Sequence, residues 1–411
     1  MTTTLARNVR LSEEPAAPRW RRAAERYGPV LALYGTLKLL GFGVFMYLLH
    51  SAGDYREKHP RFGGGEHPWD VLATWDGWWY QQVAAHGYHP ELVPVPGATG
   101  LITLEGNSAA FFPLYPAAMR LVSELTGLGL YGAGLLVSVV ASFAAALGIF
   151  AVTARLGGTR AGLAAAGLWA VWPGSGVEWA VYSDSLYVAL AAWACHAVMT
   201  RRWLTAGLLT CAAGLNRPTA VALIGAVAVA ALLALRRRQD GILRPVTAMA
   251  LAPLGLLAYL AWTGHRMGDY GGYFKLQSGA WAHEWDYGRH TVDVLTSVPV
   301  GHSDYLFVWP YADLIATGVV LLALALLPLL VRLRPPAVLV TYTALTLVLV
   351  LGSQQIFANV SRYLLPLFPL FVPPALALRR LAPAELCTLL GLAALASGSY
   401  AGYALFELGV P

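Results

Sequence analysis

The segment 69–88 holds the densest cluster of aromatic and ionisable side chains in the sequence, and it reads WDVLATWDGWWYQQVAAHGY. Asp76 lies among tryptophans there, where a carboxylate is partly desolvated and suited to act as a general base. The aromatic faces around it are suited to packing against sugar rings. A second interpretation is that Asp76 caps a short helix over 77–86, with the tryptophans forming an interfacial aromatic belt. Both can hold together, because a helix cap also fixes where its carboxylate points.

A second aromatic motif, NSAAFFPLYP, covers 107–116 and leads into a segment with helical periodicity over 117–127. Leucines and a valine share one face of this segment, whereas Arg120 and Glu124 stand one turn apart on another. The pattern predicts an amphipathic helix that lies in the membrane interface. The two prolines of the motif restrict the backbone that leads into this helix.

These motifs belong to a chain whose composition is typical of a polytopic membrane protein. Of its 411 residues, 57% are hydrophobic and 12% are charged, whereas soluble domains have about 45–50% apolar and about 25% charged residues. This balance excludes a cytosolic enzyme, a disordered chain and a disulfide scaffold. The 3 cysteines lie inside apolar stretches, so we interpret them as small buried hydrophobic residues.

Apolar runs bounded by charged residues predict an all-α protein with about 11 transmembrane helices. Short loops rich in arginine alternate along these runs, with 18 basic residues on the side of the N-terminal tail and 9 on the other. Because excess Lys and Arg marks the cytoplasmic side, we predict a cytoplasmic N-terminus and an extracytoplasmic C-terminus in the plasma membrane. The predicted spans are 29–49, 130–153, 161–181, 185–200, 203–216, 218–235, 243–263, 310–331, 336–352, 363–378 and 385–405.

The predicted organisation is a basic cytoplasmic tail, 1–28, followed by a single transmembrane catalytic domain, 29–411. Two long outer loops, 50–128 and 264–309, carry most of the acidic residues, so we expect the chemistry on the extracytoplasmic face. The net charge of +6 then comes mostly from arginines on the predicted cytoplasmic side. Because these arginines are explained by the topology, we predict no nucleic-acid partner, and we expect membrane lipids as partners.

Four groups of motifs in collinear order resemble the family of PIG-V, the second mannosyltransferase of GPI-anchor synthesis, and its bacterial relatives. They are WDG…HGY with FFPLYP, then YSDSLY at 182–187, NRPT at 216–219 and RYLLPLFP at 362–369. The sequence departs from the family in two places: Asp184 stands where Glu is usual, and the Arg217 motif reads RPTA, without the Gly often found in the eukaryotic members. The resemblance implies the GT-C fold of membrane glycosyltransferases. It also implies transfer of mannose from polyprenyl-phosphate-mannose to a hydroxyl of a glycolipid or cell-envelope glycan, on the extracytoplasmic face.

The resemblance also implies roles for individual residues, with Asp76 as the catalytic base of a single inverting displacement. Arg217 and Arg362 lie at outer ends of spans, where an arginine either binds the donor phosphate or snorkels to the interface. Asp184 also fits a helix cap, and Glu178 is placed to line the acceptor path. The predicted substrate-binding residues are Trp75, Trp79, Tyr80, His86, Tyr88, Phe112, Tyr115, Glu178, Asp184, Arg217, Arg362 and Tyr363.

A lipid or sugar transporter or flippase is the main alternative function. Such a protein is expected to carry repeats and charges near the bilayer midplane, whereas here ionisable residues crowd the outer face, with Lys38 and His196 as exceptions. A GT-C enzyme with another polyprenyl-phosphate sugar or a protein acceptor is a further alternative. No His, Asp and Glu set has metal-ligand spacing, so the sequence assigns no metal ligand and no certain cofactor and leaves divalent-metal dependence undecided. Second-loop residues that are candidates to close over the substrate are His265, Arg266, Asp269, Lys275, His283 and Glu284.

Overall fold

The structure is a computed structural model, and it describes residues 19–97, 102–302, 304–305, 308–409 and 411. Helices make up most of this described chain, which confirms the predicted helical architecture. Residues 1–18 of the predicted cytoplasmic tail lie outside the described part. The helices are α1 (Arg19–Ala52), α2 (Asp76–His86), α3 (Leu114–Thr126), α4 (Leu130–Gly157), α5 (Thr159–Ala170), α6 (Asp184–Met199), α7 (Trp203–Gly214), α8 (Ala220–Arg236), α9 (Leu243–Leu251), α10 (Leu254–Met267), α11 (Gly272–Trp281), α12 (Arg289–Ser297), α13 (Pro310–Arg332), α14 (Ala337–Leu351), α15 (Val360–Tyr363), α16 (Val372–Leu378) and α17 (Pro383–Ser399).

Two short antiparallel strand pairs lie in the segments between helices. β1 (Pro94–Pro96) pairs with β2 (Ile102–Leu104) in the first predicted outer loop. β3 (Glu284–Trp285) follows α11 and pairs with β4 (Ser353–Gln354), which follows α14. The second pair therefore ties the second predicted outer loop to the segment that leads into α15.

Four helical units of the described chain are long and apolar enough to cross a membrane, so the chain is a membrane protein with several candidate spans. They are Ala24–Ala52 within α1, α4, the joined pair α9 and α10, and α13. Two more apolar segments, Phe357–Tyr363 and Phe368–Leu378, meet at a bend of 74°. The apolar helices α6, α7, α8, α14 and α17 are shorter than the roughly 20 residues of a bilayer span. The topology with 11 spans therefore stays a prediction.

Two predicted spans, 161–181 and 363–378, are wrong as continuous helices. α5 ends at Ala170 and is followed by 3-10 turns over Pro173–Trp179, because proline fixes φ and removes an N–H donor. The turns also pass so close to α15 that a Cβ on Gly174 would lie 2.4 Å from the carbonyl oxygen of Ser361. The second span is interrupted between α15 and α16. These interruptions place the start of α6 beside α15.

The two helices predicted in the first outer loop are present. α2 begins at Asp76 and ends before Gly87, one residue longer at its start than predicted. α3 carries an ion pair between Arg120 Nε and Glu124 Oε1 at 3.0 Å, and its exposed side includes leucines. The predicted amphipathic helix is therefore confirmed, and its position in the membrane interface stays a prediction.

A buried ion pair ties α1 to the turns that precede α6. Lys38 Nζ lies 3.2 Å from Glu178 Oε2 and donates a hydrogen bond of 2.6 Å to the carbonyl oxygen of Ser175. The hydroxyl of Tyr34 donates to the same carboxylate at 2.7 Å. Because a buried charge is costly without a partner, this pair fixes α1 against the 173–179 turns and so helps to position α6.

Replacing Lys38 by Met is expected to destabilise the fold by about 3–5 kcal/mol, because Glu178 then keeps a buried charge without its cation. The measurement is thermal unfolding in detergent. The double variant K38M/E178Q removes both charges, so it is expected to be less destabilised than K38M alone. K275M is the matched control, since Lys275 pairs with Asp269 in an exposed position. A double variant as unstable as K38M would contradict the ion-pair account.

Candidate active site

Two carboxylates and two arginines from four distant segments meet in one cluster. Asp76 is the first residue of α2, and Asp184 is the first residue of α6. Arg217 lies between α7 and α8, and Arg362 lies in α15. The sequence singled out all four residues, and the structure brings them together. We call these four residues the ion cluster.

Asp184 is the centre of the ion cluster and is fully buried. Its Oδ2 accepts hydrogen bonds from Arg362 Nη2 at 3.0 Å and Nε at 3.2 Å. Arg217 Nη1 donates to the other carboxylate oxygen, Oδ1. Paired guanidinium contacts of this kind are the strong form of a charge-assisted hydrogen bond. They compensate the cost of burying the Asp184 charge.

Asp76 is the most exposed carboxylate of the ion cluster. Its side chain is 29% exposed, against 0% for Asp184, and its Oδ2 accepts from Arg362 Nη2. The expectation that Asp76 caps α2 is wrong, because the cap position belongs to Trp75 and Asp76 is already helical. Trp75 has φ +54°, a backbone conformation that a bulky residue adopts only at a cost of about 1–3 kcal/mol. A strained backbone at the residue before Asp76 is of the kind found where function requires a particular direction of a side chain, here the Asp76 carboxylate.

Arg362 is held from several sides. Its guanidinium carbon lies 4.5 Å from the ring centroid of Tyr182 and 5.9 Å from that of Tyr363. Its Nη1 donates to the carbonyl oxygen of Pro411 at 2.9 Å. Because Arg362 contacts both carboxylates of the ion cluster, it is the residue that links Asp76 to Asp184.

Tyr80 and Asn216 hold the turn that carries Asp184. Tyr80 donates its hydroxyl to Ser183 Oγ at 2.7 Å, and Asn216 Nδ2 donates to the Ser183 carbonyl oxygen at 3.0 Å. Burial, followed by the negative charge of Asp76, raises the pKa of Tyr80. Tyr80 therefore stays protonated at neutral pH and keeps its donor role.

His283 is a neighbour of the cluster that the sequence did not distinguish from other residues of the second loop. Its ring stands edge-on to Tyr363 at 6.4 Å, and its Nε2 is shielded from solvent without a hydrogen-bond partner in the described chain. Burial lowers the pKa of His283 to about 4, and the opposing influence of Asp76 is smaller. The preceding residue, Ala282, has φ +52°, and its carbonyl oxygen accepts from Gln354 Nε2 at 3.2 Å. No sequence pattern marks His283, because its position depends on the pairing of β3 with β4.

The low pKa of His283 predicts that the fold loses stability in acid. Between the unfolded pKa of 6.5 and the folded pKa of about 4, the unfolded chain binds more protons. The free energy of unfolding contributed by this group is therefore complete above pH 6.5 and falls as the pH drops towards 4, by about 2–3 kcal/mol. Melting temperatures of the wild type and H283Q between pH 7.5 and 4.5 test this. H283Q is expected to show the shallower pH dependence, and equal slopes would contradict the assignment.

Five of the predicted aromatic residues pack in two groups, with Trp79, Tyr80 and Tyr115 in the first and Phe112 and Tyr88 in the second. Trp79 stacks on Phe111 with ring centroids 5.5 Å apart, and Tyr80 packs against Tyr115 at 4.8 Å. Tyr115 is buried and donates its hydroxyl to the carbonyl oxygen of Gly134. The second group is centred on Tyr259. It includes Phe112 at 4.3 Å and Tyr88 at 6.0 Å, measured between ring centroids.

The structure places two predicted site residues apart from the ion cluster. His86 is exposed in the last turn of α2, at the opposite end from Asp76. Glu178 is bound by Lys38 and Tyr34, although its backbone carbonyl accepts from Ser185 Oγ at 3.0 Å, next to Asp184. Among the described residues, no group of three or more His, Cys, Asp or Glu side chains is arranged to hold a metal ion.

Comparisons with known proteins identify the fold. No protein-family model matches the chain, and no curated protein sequence matches it. The structure is similar to ArnT from Cupriavidus metallidurans in the apo state, with a TM-score of 0.50 and 14% identity over 88% of this chain and 61% of that chain. ArnT bound to undecaprenyl phosphate gives a TM-score of 0.51 and 15% identity, over 87% of this chain and 61% of that chain. The Archaeoglobus fulgidus oligosaccharyltransferase tethered with an acceptor peptide gives a TM-score of 0.43 and 12% identity, over 95% of this chain and 56% of that chain.

The likeness to ArnT shows that this chain has a GT-C-like fold, which confirms that part of the prediction. This chain spans about three fifths of the ArnT chain, at 61% coverage. The activity, the sugar and the acceptor are therefore matters for proposal.

Proposed function

We propose that the protein is a membrane glycosyltransferase that moves mannose from polyprenyl-phosphate-mannose to a hydroxyl of a glycolipid or cell-envelope glycan. The reaction takes place on the extracytoplasmic face of the plasma membrane, with inversion. The observation that carries the proposal is the partly exposed carboxylate of Asp76, at the edge of an otherwise buried ion cluster in a GT-C-like fold. Undecaprenyl phosphate, the lipid bound in the ArnT structure, has the chemistry expected of the donor's carrier. Mannose rests on the resemblance of the motifs alone.

The chemistry requires a base for the acceptor and a good leaving group on the donor. Asp76 accepts the hydroxyl proton as the acceptor oxygen attacks the anomeric carbon. The bond from the anomeric carbon to the phosphate oxygen breaks in the same step, and the lipid phosphate leaves with the electron pair. Because phosphate is already a good leaving group, no protein acid is required.

The arginines of the cluster control the base and attract the phosphate. Arg362 contacts Asp76 directly and keeps its carboxylate oriented. Arg217 has one ion-pair partner among the described residues, Asp184, and its side chain is 16% exposed, so it is the cluster arginine with room for a further contact. We assign Arg217 to the donor phosphate on this ground. Tyr80 holds the turn before Asp184, and Tyr363 packs against the guanidinium of Arg362.

One observation favours the alternative of a lipid or sugar transporter. The segments that carry Arg362 and α16 form a pair bent by 74°, and interrupted helices with buried charges are common at transporter binding sites. The aromatic and acidic first loop favours the enzyme, since a transporter needs no base exposed at its outer face.

A transfer assay separates the two functions. Purified protein in nanodiscs is supplied with decaprenyl-phosphate-[³H]mannose and octyl α-mannoside, with the glucose and arabinose donors in parallel. The expected result is a mannosylated octyl mannoside and weaker transfer of the other sugars. Preferred transfer of glucose or arabinose would keep the reaction class and overturn mannose as the donor sugar. If none of the donors is cleaved, the glycosyltransferase proposal is overturned, and proteoliposome uptake of the same lipids tests the transporter.

A further inference from the structure

Arg61 lies in the first predicted outer loop, beside the start of α2, and it was not among the predicted site residues. Its guanidinium carbon lies 4.7 Å from the ring centroid of Trp78 and 4.8 Å from that of Trp79. Phe62 adds a third ring at 5.1 Å. Aromatic rings attract a guanidinium and hold its plane while leaving N–H donors at its edge. Arg61 is therefore positioned by aromatic rings rather than by a carboxylate.

The guanidinium of Arg61 has no ion-pair partner in the described chain. No carboxylate oxygen of the described residues lies within 4.0 Å of it, and its Nε is shielded from solvent without a hydrogen bond. Burial lowers the pKa of Arg61, and the charge of Glu105 acts in the opposite sense. Arginine keeps its charge in proteins, so this half-buried side chain is a cation without a direct ion pair among the described residues.

The ion cluster has balanced charges, whereas Arg61 has no ion-pair partner in the described chain, and this difference bears on phosphate binding. In the cluster, the charges of Asp76 and Asp184 balance those of Arg217 and Arg362. A phosphate that enters beside a balanced cluster adds negative charge to a poorly solvated region. A further cation nearby removes that cost, and Arg61 supplies one.

Arg61 is also close to the proposed base. Its backbone carbonyl oxygen accepts a hydrogen bond of 2.9 Å from the N–H of Trp75, the residue before Asp76. Trp79, over which the guanidinium lies, stands one helical turn after Asp76 on α2. A group bound by Arg61 therefore lies beside the first turn of α2, which begins with Asp76.

We propose that Arg61 binds a phosphate oxyanion of a lipid substrate, next to Asp76. The guanidinium fork matches the geometry of phosphate oxygens and donates two N–H groups to them. The inference rests on the proposed function for the identity of the lipid. Two lipids present this chemistry, namely the polyprenyl-phosphate donor and an acceptor with a phosphate in its headgroup.

Binding measurements test the role of Arg61 without requiring turnover. Protein in neutral-lipid nanodiscs is titrated with decaprenyl phosphate and with the uncharged alcohol decaprenol, which has the same chain. A second pair, phosphatidylglycerol and diacylglycerol, represents an anionic acceptor and its uncharged counterpart. The variants are R61M and R61K, with R56M as the matched control. Arg56 lies in the same predicted outer loop and also rests on an aromatic ring, with its guanidinium carbon 5.2 Å from the ring of Tyr55.

The wild type is expected to bind one phosphate lipid more tightly than its uncharged counterpart. R61M is expected to lower that preference by about 10- to 100-fold, as for loss of a charge-assisted hydrogen bond, whereas R61K keeps part of it and R56M keeps all of it. Loss with decaprenyl phosphate assigns the donor, and loss with phosphatidylglycerol assigns the acceptor. An unchanged preference for both lipids in R61M, or an equal loss in R56M, overturns the proposal. Absence of sugar transfer with an intact phosphate preference would count against the enzyme function alone.

Discussion

Replacing Asp76 by Asn is expected to lower the rate of sugar transfer by about 10²–10⁴-fold, the usual contribution of a general base. Asn has nearly the same shape as Asp but does not accept the proton of the attacking hydroxyl. Arg362, the partner of Asp76, still pairs with Asp184, so no buried cation is left without a carboxylate. The variant should therefore fold, and its loss should appear in kcat and not in the binding of decaprenyl phosphate. Initial rates with decaprenyl-phosphate-[³H]mannose measure the effect.

Asp70→Asn is the matched control for this experiment. Asp70 lies in the same loop as Asp76, and its side chain is similarly exposed, at 36%. It differs from Asp76 because its carboxylate accepts a hydrogen bond from the backbone N–H of His67 at 2.9 Å and does not contact the ion cluster. D70N is expected to transfer sugar at close to the wild-type rate. A D76N variant that keeps more than about a tenth of the wild-type kcat would overturn the base assignment, since the loss would fall below that of a general base. Equal losses in both variants would point to a general effect on the loop.

The sequence predicts those parts of the fold that depend on local signals. The helix after Trp75 is marked by its terminal Gly87, and the amphipathic α3 is marked by apolar spacing and the Arg120–Glu124 pair. Composition predicts the membrane environment, because 57% hydrophobic residues exceed what a soluble core needs. Each of these features is decided within one or two helical turns, so a single sequence is enough to find it.

Two predicted spans are wrong because a long apolar run was interpreted as one continuous helix. The runs 161–181 and 363–378 are mostly apolar, yet Pro173 and the prolines after Arg362 interrupt both. Those prolines are visible in the sequence and already contradict an unbroken helix. The reason for them is not visible, because it is the contact between the two interrupted segments.

The sequence singled out the members of the ion cluster but not their pairing. Asp184 and Arg217 are 33 positions apart, Asp184 and Arg362 are 178 apart, and Asp76 and Arg362 are 286 apart. No periodicity connects positions at such separations. Arg61 was missed for the same reason, since an arginine next to aromatic residues in sequence does not reveal which rings its side chain reaches.

Removing the carboxylate of Asp184 is expected to cause the largest loss of stability among the cluster substitutions. In D184N, Arg217 loses its only ion-pair partner among the described residues, whereas Arg362 keeps Asp76 and the carbonyl oxygen of Pro411. Breaking a buried ion pair on one side costs about 3–5 kcal/mol, because the remaining charge stays buried without compensation. Thermal unfolding in detergent measures the loss, and the yield of monodisperse protein gives a second measure if D184N unfolds on purification.

The double variant D184N/R217M distinguishes charge balance from simple loss of contacts. It removes one carboxylate and one guanidinium, so Asp76 and Arg362 remain as a balanced pair. If uncompensated charge causes the instability, the double variant is expected to be more stable than D184N, although it lacks more native contacts. E124Q is the control, since Glu124 pairs with Arg120 on the exposed side of α3 and should tolerate the change. A double variant less stable than D184N would mean that Arg217 supports the fold through packing, and the charge-balance account would fail.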